Sequence, residues 1–251
     1  MPLWKKKEPQ PVVPVFEPAR ERLLCAGAIL AARSTGGPHR LVDEDQKRAA
    51  ALQQSSSKAL ARSWDVRTAE QLRATVQRLL TAGQHPDLDP FFRSMRDAAL
   101  ADPSGTAASQ VFASFVQSQP SRPGQSYNDL AQTYKEISKK LRDPDGTKVS
   151  WPALYAAVST TRAWDLERAA WVGRMGLMAG LIGEEETFSI LQASRGQTEQ
   201  TYSSWLDYGI AFVVGRAVGL EDGEAFLFVG ALAAELNNPY SLFNRYPIGS
   251  R

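Results

Sequence analysis

The sequence is poor in the residues that most often announce chemistry. Its 251 residues include one cysteine, Cys25, and two histidines, His39 and His85. One cysteine forms no internal disulfide, which suits a reducing compartment. Cys25 lies in the apolar run Leu23-Leu24-Cys25-Ala26-Gly27-Ala28-Ile29-Leu30 and reads as a buried, inert thiol. With so few histidines and cysteines a zinc site needs carboxylates, and no helix carries the paired ligand spacing; no metal is expected. His39 sits in a Gly-Pro loop. His85 follows Gly83, where a capping or dipole role fits better than catalysis. There is no Gly-x-Ser-x-Gly elbow, Walker loop or dinucleotide-binding glycine loop, so no catalytic residue and no cofactor is expected. Asp143 and Asp145 do not continue into a calcium loop. No run of eighteen apolar residues is present, so no membrane span is expected. The net charge of +2, from 29 basic and 27 acidic residues, leaves no electrostatic footprint for nucleic acid.

What is present is ordinary globular composition, 43% hydrophobic and 22% charged, enough for a sizeable core. Residues 1–16 are proline-rich, carry Lys5-Lys6-Lys7, and lack the apolar centre of a signal peptide. The chain is expected to be soluble and cytoplasmic. After Pro18, helix formers run to Ala32, and Ser34-Thr35-Gly36-Gly37-Pro38 stops them. Asp43-Glu44-Asp45 opens a helix that reaches about Arg62. Leu72, Val76, Leu79 and Leu80 recur at helical spacing before Gly83. Further helices are expected near 90–101, 106–118, 127–141, 150–160, 163–180, 184–195, 200–219 and 222–236. No stretch alternates as a strand does; Val12-Val13-Pro14-Val15 is broken by proline. The expectation is an all-α single domain of about ten helices over 17–236, between a proline-rich tail at 1–16 and an irregular tail at 237–251. The segment 119–126 is a loop.

The polar residues that need explaining lie on two apolar helices. At about 100° per residue, Trp164, Trp171, Val172 and Met175 share a face with Arg168 at its centre. Ala169, Gly173, Gly176 and Gly180 form a stripe of small residues that admits a close neighbour. Asp165 is three residues before Arg168, within reach on the helix surface. Trp205, Tyr208, Phe212 and Val213 share a face of the later helix, and Arg216 falls on it. A charge on such a face is paired or reaches water by its long stem. Asp165, Arg168 and Arg216, with Trp164, Trp205 and Tyr208, are therefore expected to form a shared or adjacent polar cluster. The plain reading is an internal ion-pair network that fixes helix register. A second is an anion pocket with aromatic walls. A third places the arginines at a protein interface. Glu184-Glu185-Glu186 follows Gly183 and reads as a solvated first turn.

Ala163-Trp164-Asp165-Leu166 with Arg168 and Arg174, then Gly180-Leu181-Ile182 and Glu184-Glu185-Glu186, resemble a bacterial family known only as domain of unknown function 1266. Ser204-Trp205 and Gly215-Arg216 continue the resemblance, as do Ser63-Trp64-Asp65-Val66, Leu72, Leu79-Leu80, Gly83 and His85. It covers roughly 20–220. The family tends to have glycine at position 65 and an aromatic soon after the Gly-Arg pair; this chain has Asp65 and Ala217-Val218-Gly219. The resemblance implies a bacterial, mostly helical protein and no activity.

Without a nucleophile–base set, the expected function is a non-catalytic protein-interaction module, of which an immunity or accessory protein for a secreted toxin is one form. The alternative is a binding or sensing protein for a small anionic ligand at the arginine–aromatic cluster. An enzyme using Asp165 or the Glu184 group is a third.

Overall fold

The computed structural model describes residues 14–33, 37–41, 46–83, 85–118, 127–142, 146–220 and 224–249. Among these no strand forms, and the one extended pairing is a single antiparallel bridge between Arg142 and Lys148. The helices are α1 Pro18–Leu23, α2 Ala28–Ala31, α3 Gln46–Trp64, α4 Ala69–Thr81, α5 Asp89–Ala101, α6 Thr106–Ser118 and α7 Tyr127–Lys140. They continue as α8 Trp151–Ala156, α9 Arg162–Met178, α10 Glu184–Thr201, α11 Trp205–Gly219, α12 Ala225–Asn237 and α13 Leu242–Arg245. No helix among the described residues is long and apolar enough to cross a membrane.

The sequence dictates most ends locally. Thr68 and Gln71 form a reciprocal capping box at the start of α4. Ser150, Ser204 and Ser241 cap α8, α11 and α13 by accepting the backbone N–H of the third residue of each helix. The end of α3 is unusual. Asp65 adopts φ +52°, and the Val66 N–H turns back to the Leu60 carbonyl at 3.1 Å. That left-handed backbone is where the family resemblance expects glycine, the residue that adopts it without strain.

The α9 helix is the axis of the all-α domain: twelve of its seventeen residues are buried. It packs against α3, α4, α10, α11 and α2. Its small stripe meets two neighbours. A Cβ at Gly173 would lie 3.0 Å from Ile190 of α10, and one at Gly176 only 2.3 Å from Leu72 of α4. The largest core joins residues 24–29, α5–α8 and α10–α12 to the first half of α9, and a second, smaller core fills the space between α3, α4 and the other side of α9.

Two segments differ from the expectation. The stretch 18–32 is two short helices with a break at Gly27 (φ +78°). The break follows from tertiary contact: the Gly27 backbone lies so close to α9 that a Cβ would come within 3.1 Å of Ala170, and a carboxylate of α9 claims its N–H. The stretch 237–251 contains α13, whose Leu242 and Phe243 are buried, with Phe243 stacked on Trp205 at 4.3 Å. Four helical residues are too few to show a period. The expected turn at 119–126 and the expected acidic helix start at 43–45 lie outside the described residues, as do residues 1–13 of the expected tail.

Candidate functional site

The six residues singled out in the sequence divide between two places. Asp165, Arg168, Arg216 and Trp164 come together where α9 meets α11. Asp165 is buried, and Arg168 donates to it through Nη2. Arg162 stands 3.8 Å from the same carboxylate, while its guanidinium donates to the Leu79 carbonyl (2.5 Å) and the Leu80 carbonyl at the end of α4. Burial lowers the Arg168 pKa, and Asp165 opposes that shift. Arg216 reaches Glu224 at 3.5 Å; Glu224 itself is 58% exposed in its side chain.

Aromatic rings and guanidiniums alternate through this site. Arg168 lies 5.5 Å from the Trp64 ring and 4.5 Å from the Trp164 ring. Arg216 lies 5.5 Å from Trp164 and 4.8 Å from Phe228, and Arg33 is 4.9 Å from the other end of that series at Phe228. Each desolvated contact of this kind is worth about 0.5–2 kcal/mol. The series ties α3, α9, α11 and α12 together. Beside it, Trp164 Nε1 and His85 Nε2 have no hydrogen-bond partner and converge on the bare Cα of Gly219, within 3.1 and 3.3 Å of where a Cβ would sit. Burial lowers the His85 pKa. As placed, the arginine charges are met by carboxylates and their flat faces by rings.

Trp205 and Tyr208 belong to a second cluster, deeper and more polar. Its centre is Glu167, which is fully buried. Tyr208 donates to Glu167 Oε2 at 2.6 Å, and the Gly27 and Leu30 N–H groups donate at 3.2 and 2.9 Å. Arg174, two turns further along α9, is 1% exposed and donates to the carbonyls of Leu24 (2.6 Å), Ala26 (3.2 Å), Pro38 (3.2 Å) and Arg40 (3.3 Å). Burial raises the Glu167 pKa against these donors; it lowers that of Arg174 to about 10 against the pull of Glu167. Glu235 of α12 joins from the other side, its pKa pushed up to about 7 by burial. Trp205 donates to the Tyr246 carbonyl at 2.9 Å, and Arg195 covers its ring at 5.4 Å. Cys25 is buried here and its thiol pKa is pushed up to about 12 by desolvation.

The outer ion pairs fasten the N-terminal helices. Arg20 bonds Glu184 (2.9 Å) and Glu185 (2.5 Å), and Arg73 bonds Glu186 (2.7 Å). The three acids at the start of α10 form a largely exposed first turn, as expected, and pair there with arginines of α1 and α4. Arg245 and the Tyr246 hydroxyl hold buried Glu21 at 2.5 and 2.8 Å. Among the described residues no three His, Cys, Asp or Glu side chains gather as metal donors.

Sequence reasoning did not single out Glu167, Arg195 or Glu235, and it noted Arg174 without a role. A signal was available for two of them. Glu167 and Arg174 are seven residues apart, about 20° from alignment on a helix otherwise apolar on that side.

A model built from the protein family described as "Protein of unknown function (DUF1266)" matches residues 59–237, well over half of the chain. No curated protein and no solved structure matches. The matched span starts inside α3, ends with α12, and contains Trp64, Asp165, Arg168 and Arg216 as well as Glu167 and Arg174; the chain belongs to the DUF1266 family.

Proposed function

We propose that the chain is a non-catalytic protein-interaction module and that it presents the outer face of α12 to its partner. The observation that carries this reading is the composition of that face. From Ala225 to Ala234 no residue is charged. Phe226 and Leu227 are 40% and 39% exposed, and Gly230 and Ala234 continue the exposed side. Nothing lies within 4 Å of where a Gly230 Cβ would sit. Scattered exposed apolar residues are normal, but a whole helix face without a charge is a feature of surfaces that meet other proteins. Leu220, just before α12, is also 39% exposed. The same reading takes the chain as a bacterial cytoplasmic protein. An immunity or accessory role toward a secreted toxin is its concrete form and requires that the partner be such a toxin.

The test is quantitative affinity purification of the full chain from its native cells, beside the variants Phe226→Asp and Leu227→Lys. Both positions are exposed, so the fold is retained and circular dichroism checks it. The expected result is a stoichiometric protein that the wild type retains and both variants lose. Failure to retain one under several lysis conditions, or retention by both variants, counts against the reading. The arginine–aromatic site supports anion binding less well, because its paired guanidiniums are also buried, 12% exposed at Arg168 and 9% at Arg216.

A further inference from the structure

A cleft of about 310 Å³ is lined by Gln54, Ser57, Lys58 and Ala61 of α3, Val66 and Arg67 of the following turn, and Leu181. Its volume is at the lower end for small-molecule sites. The charged groups in its lining are both cations, Lys58 and Arg67, and they come from different elements. The α3 helix contributes no carboxylate from Gln46 to Trp64. Ala61, Val66 and Leu181 supply apolar wall, and Val66 is buried. Gln54 supplies an amide; the Ser57 hydroxyl already donates to the Gln53 carbonyl at 2.8 Å.

Arg67 is held in place by Asp65. Its Nη1 donates to Asp65 Oδ1, and its backbone N–H donates to Gln71 Oε1 at 2.8 Å. Asp65 is the one non-glycine residue with positive φ among the described residues. Glycine serves that backbone with least strain. Aspartate adds only a carboxylate, and the pair it makes is 64% and 80% exposed, too wet to contribute much stability. What Asp65 does supply is a fixed direction for the guanidinium at the edge of the cleft. A guanidinium fork and an ammonium together suit a dianion with several acceptor oxygens.

We infer that this cleft binds a phosphate monoester with a small apolar substituent, the phosphate on Lys58 and Arg67 and the substituent against Ala61, Val66 and Leu181, with Asp65 as the positioning residue for Arg67. The site is separate from the α12 face, and its fate does not depend on that reading.

The test is a titration of the ¹⁵N-labelled full chain with phenyl phosphate, with inorganic phosphate and benzylamine as comparisons. Phenyl phosphate is expected to shift the Lys58, Ala61, Val66 and Leu181 amides saturably, more tightly than inorganic phosphate, and benzylamine is expected to leave them unmoved. Arg67→Gln is expected to weaken binding at least fivefold. Asp65→Gly is expected to weaken it two- to fivefold while the melting temperature stays the same or rises, since it relieves the left-handed strain. The two substituted positions, Asp65 and Arg67, are on the surface, so unfolding does not confuse the result. Absent or scattered shifts, equal binding of benzylamine, or an unchanged Arg67→Gln variant would overturn the site. Inorganic phosphate binding as tightly as the ester would overturn the apolar wall, and full affinity in Asp65→Gly the positioning role.

Discussion

Replacing Glu235 by glutamine should make the protein more stable at alkaline pH and change little at pH 5. Glu235 is buried in α12, its Oε2 has no hydrogen-bond partner, and burial pushes its pKa from the ordinary 4.5 up to about 7. The groups that face it are Glu167 and Arg174 of α9, the Leu242 backbone at the start of α13, and Cys25. Glu167 raises the pKa further; Arg174 and the Leu242 N–H lower it. Because the folded pKa lies above the unfolded one, the neutral carboxyl is the form that folding favours. Stability is therefore whole below about pH 4.5, falls as pH rises, and levels off above about 7. A shift of that size corresponds to about 3 kcal/mol lost across the window. The amide keeps the shape and cannot ionise, so the variant escapes the loss. Urea unfolding followed by tryptophan fluorescence at pH 5, 6, 7, 8 and 9 reads the effect as the difference between two curves. Glu167, also raised by burial, is present in both proteins. The variant should gain about 2–3 kcal/mol at pH 8 relative to its standing at pH 5. Parallel curves would refute the reasoning and place Glu235 in contact with water.

Arg174→Met should destabilise by about 3–5 kcal/mol, because it strands Glu167 and four backbone carbonyls; adding Glu167→Gln should cost less than the sum, which a double-mutant cycle in urea measures. Arg168→Ala should cost less, about 1–3 kcal/mol in the same assay, since Arg162 remains 3.8 Å from Asp165. Gly215→Ala should cost about 1–3 kcal/mol: its Cβ would meet the Trp164 Cβ at 2.7 Å and the Thr161 carbonyl at 3.0 Å, neither the end of a flexible chain. Gly230→Ala, in open space mid-helix, should instead raise stability by about 0.5–1 kcal/mol, and thermal melts of the pair give the contrast.

Periodicity made much of this fold legible. The α4, α5, α6 and α7 helices fall within a few residues of their expected bounds, because capping residues and apolar spacing are local facts. The Asp165–Arg168 pair was legible for the same reason: three residues on a helix are neighbours. That Arg216 and the pair Trp205 and Tyr208 stand in two clusters rather than one is geometry of a different kind. Trp205 and Arg216 are eleven residues apart and share an azimuth, but they stand about 16 Å apart along the axis. A helical wheel reports direction and discards height. So α11 sends one end of its apolar face to the Glu167 cluster and the other to the arginine–aromatic series.

The break at Gly27 and the role of Arg174 were illegible because their causes lie far along the chain. Arg174 reads carbonyls at Leu24, Ala26, Pro38 and Arg40, none closer than 134 residues. Glu167 reads the intervening N–H groups. Together they recognise residues 24–30 and 38–40 by their backbone, a mode that leaves little trace in side-chain pattern. All of these residues lie outside the span that matches the family, while both reading groups lie inside it. A carboxylate and a guanidinium this deeply buried are tolerable only when most of their hydrogen bonds are met, and here Arg174 Nε alone of the two groups lacks a partner. The family-matched span therefore carries a polar core that the preceding segment completes, and α1 and α2 belong to the folding unit as fully as α9 does.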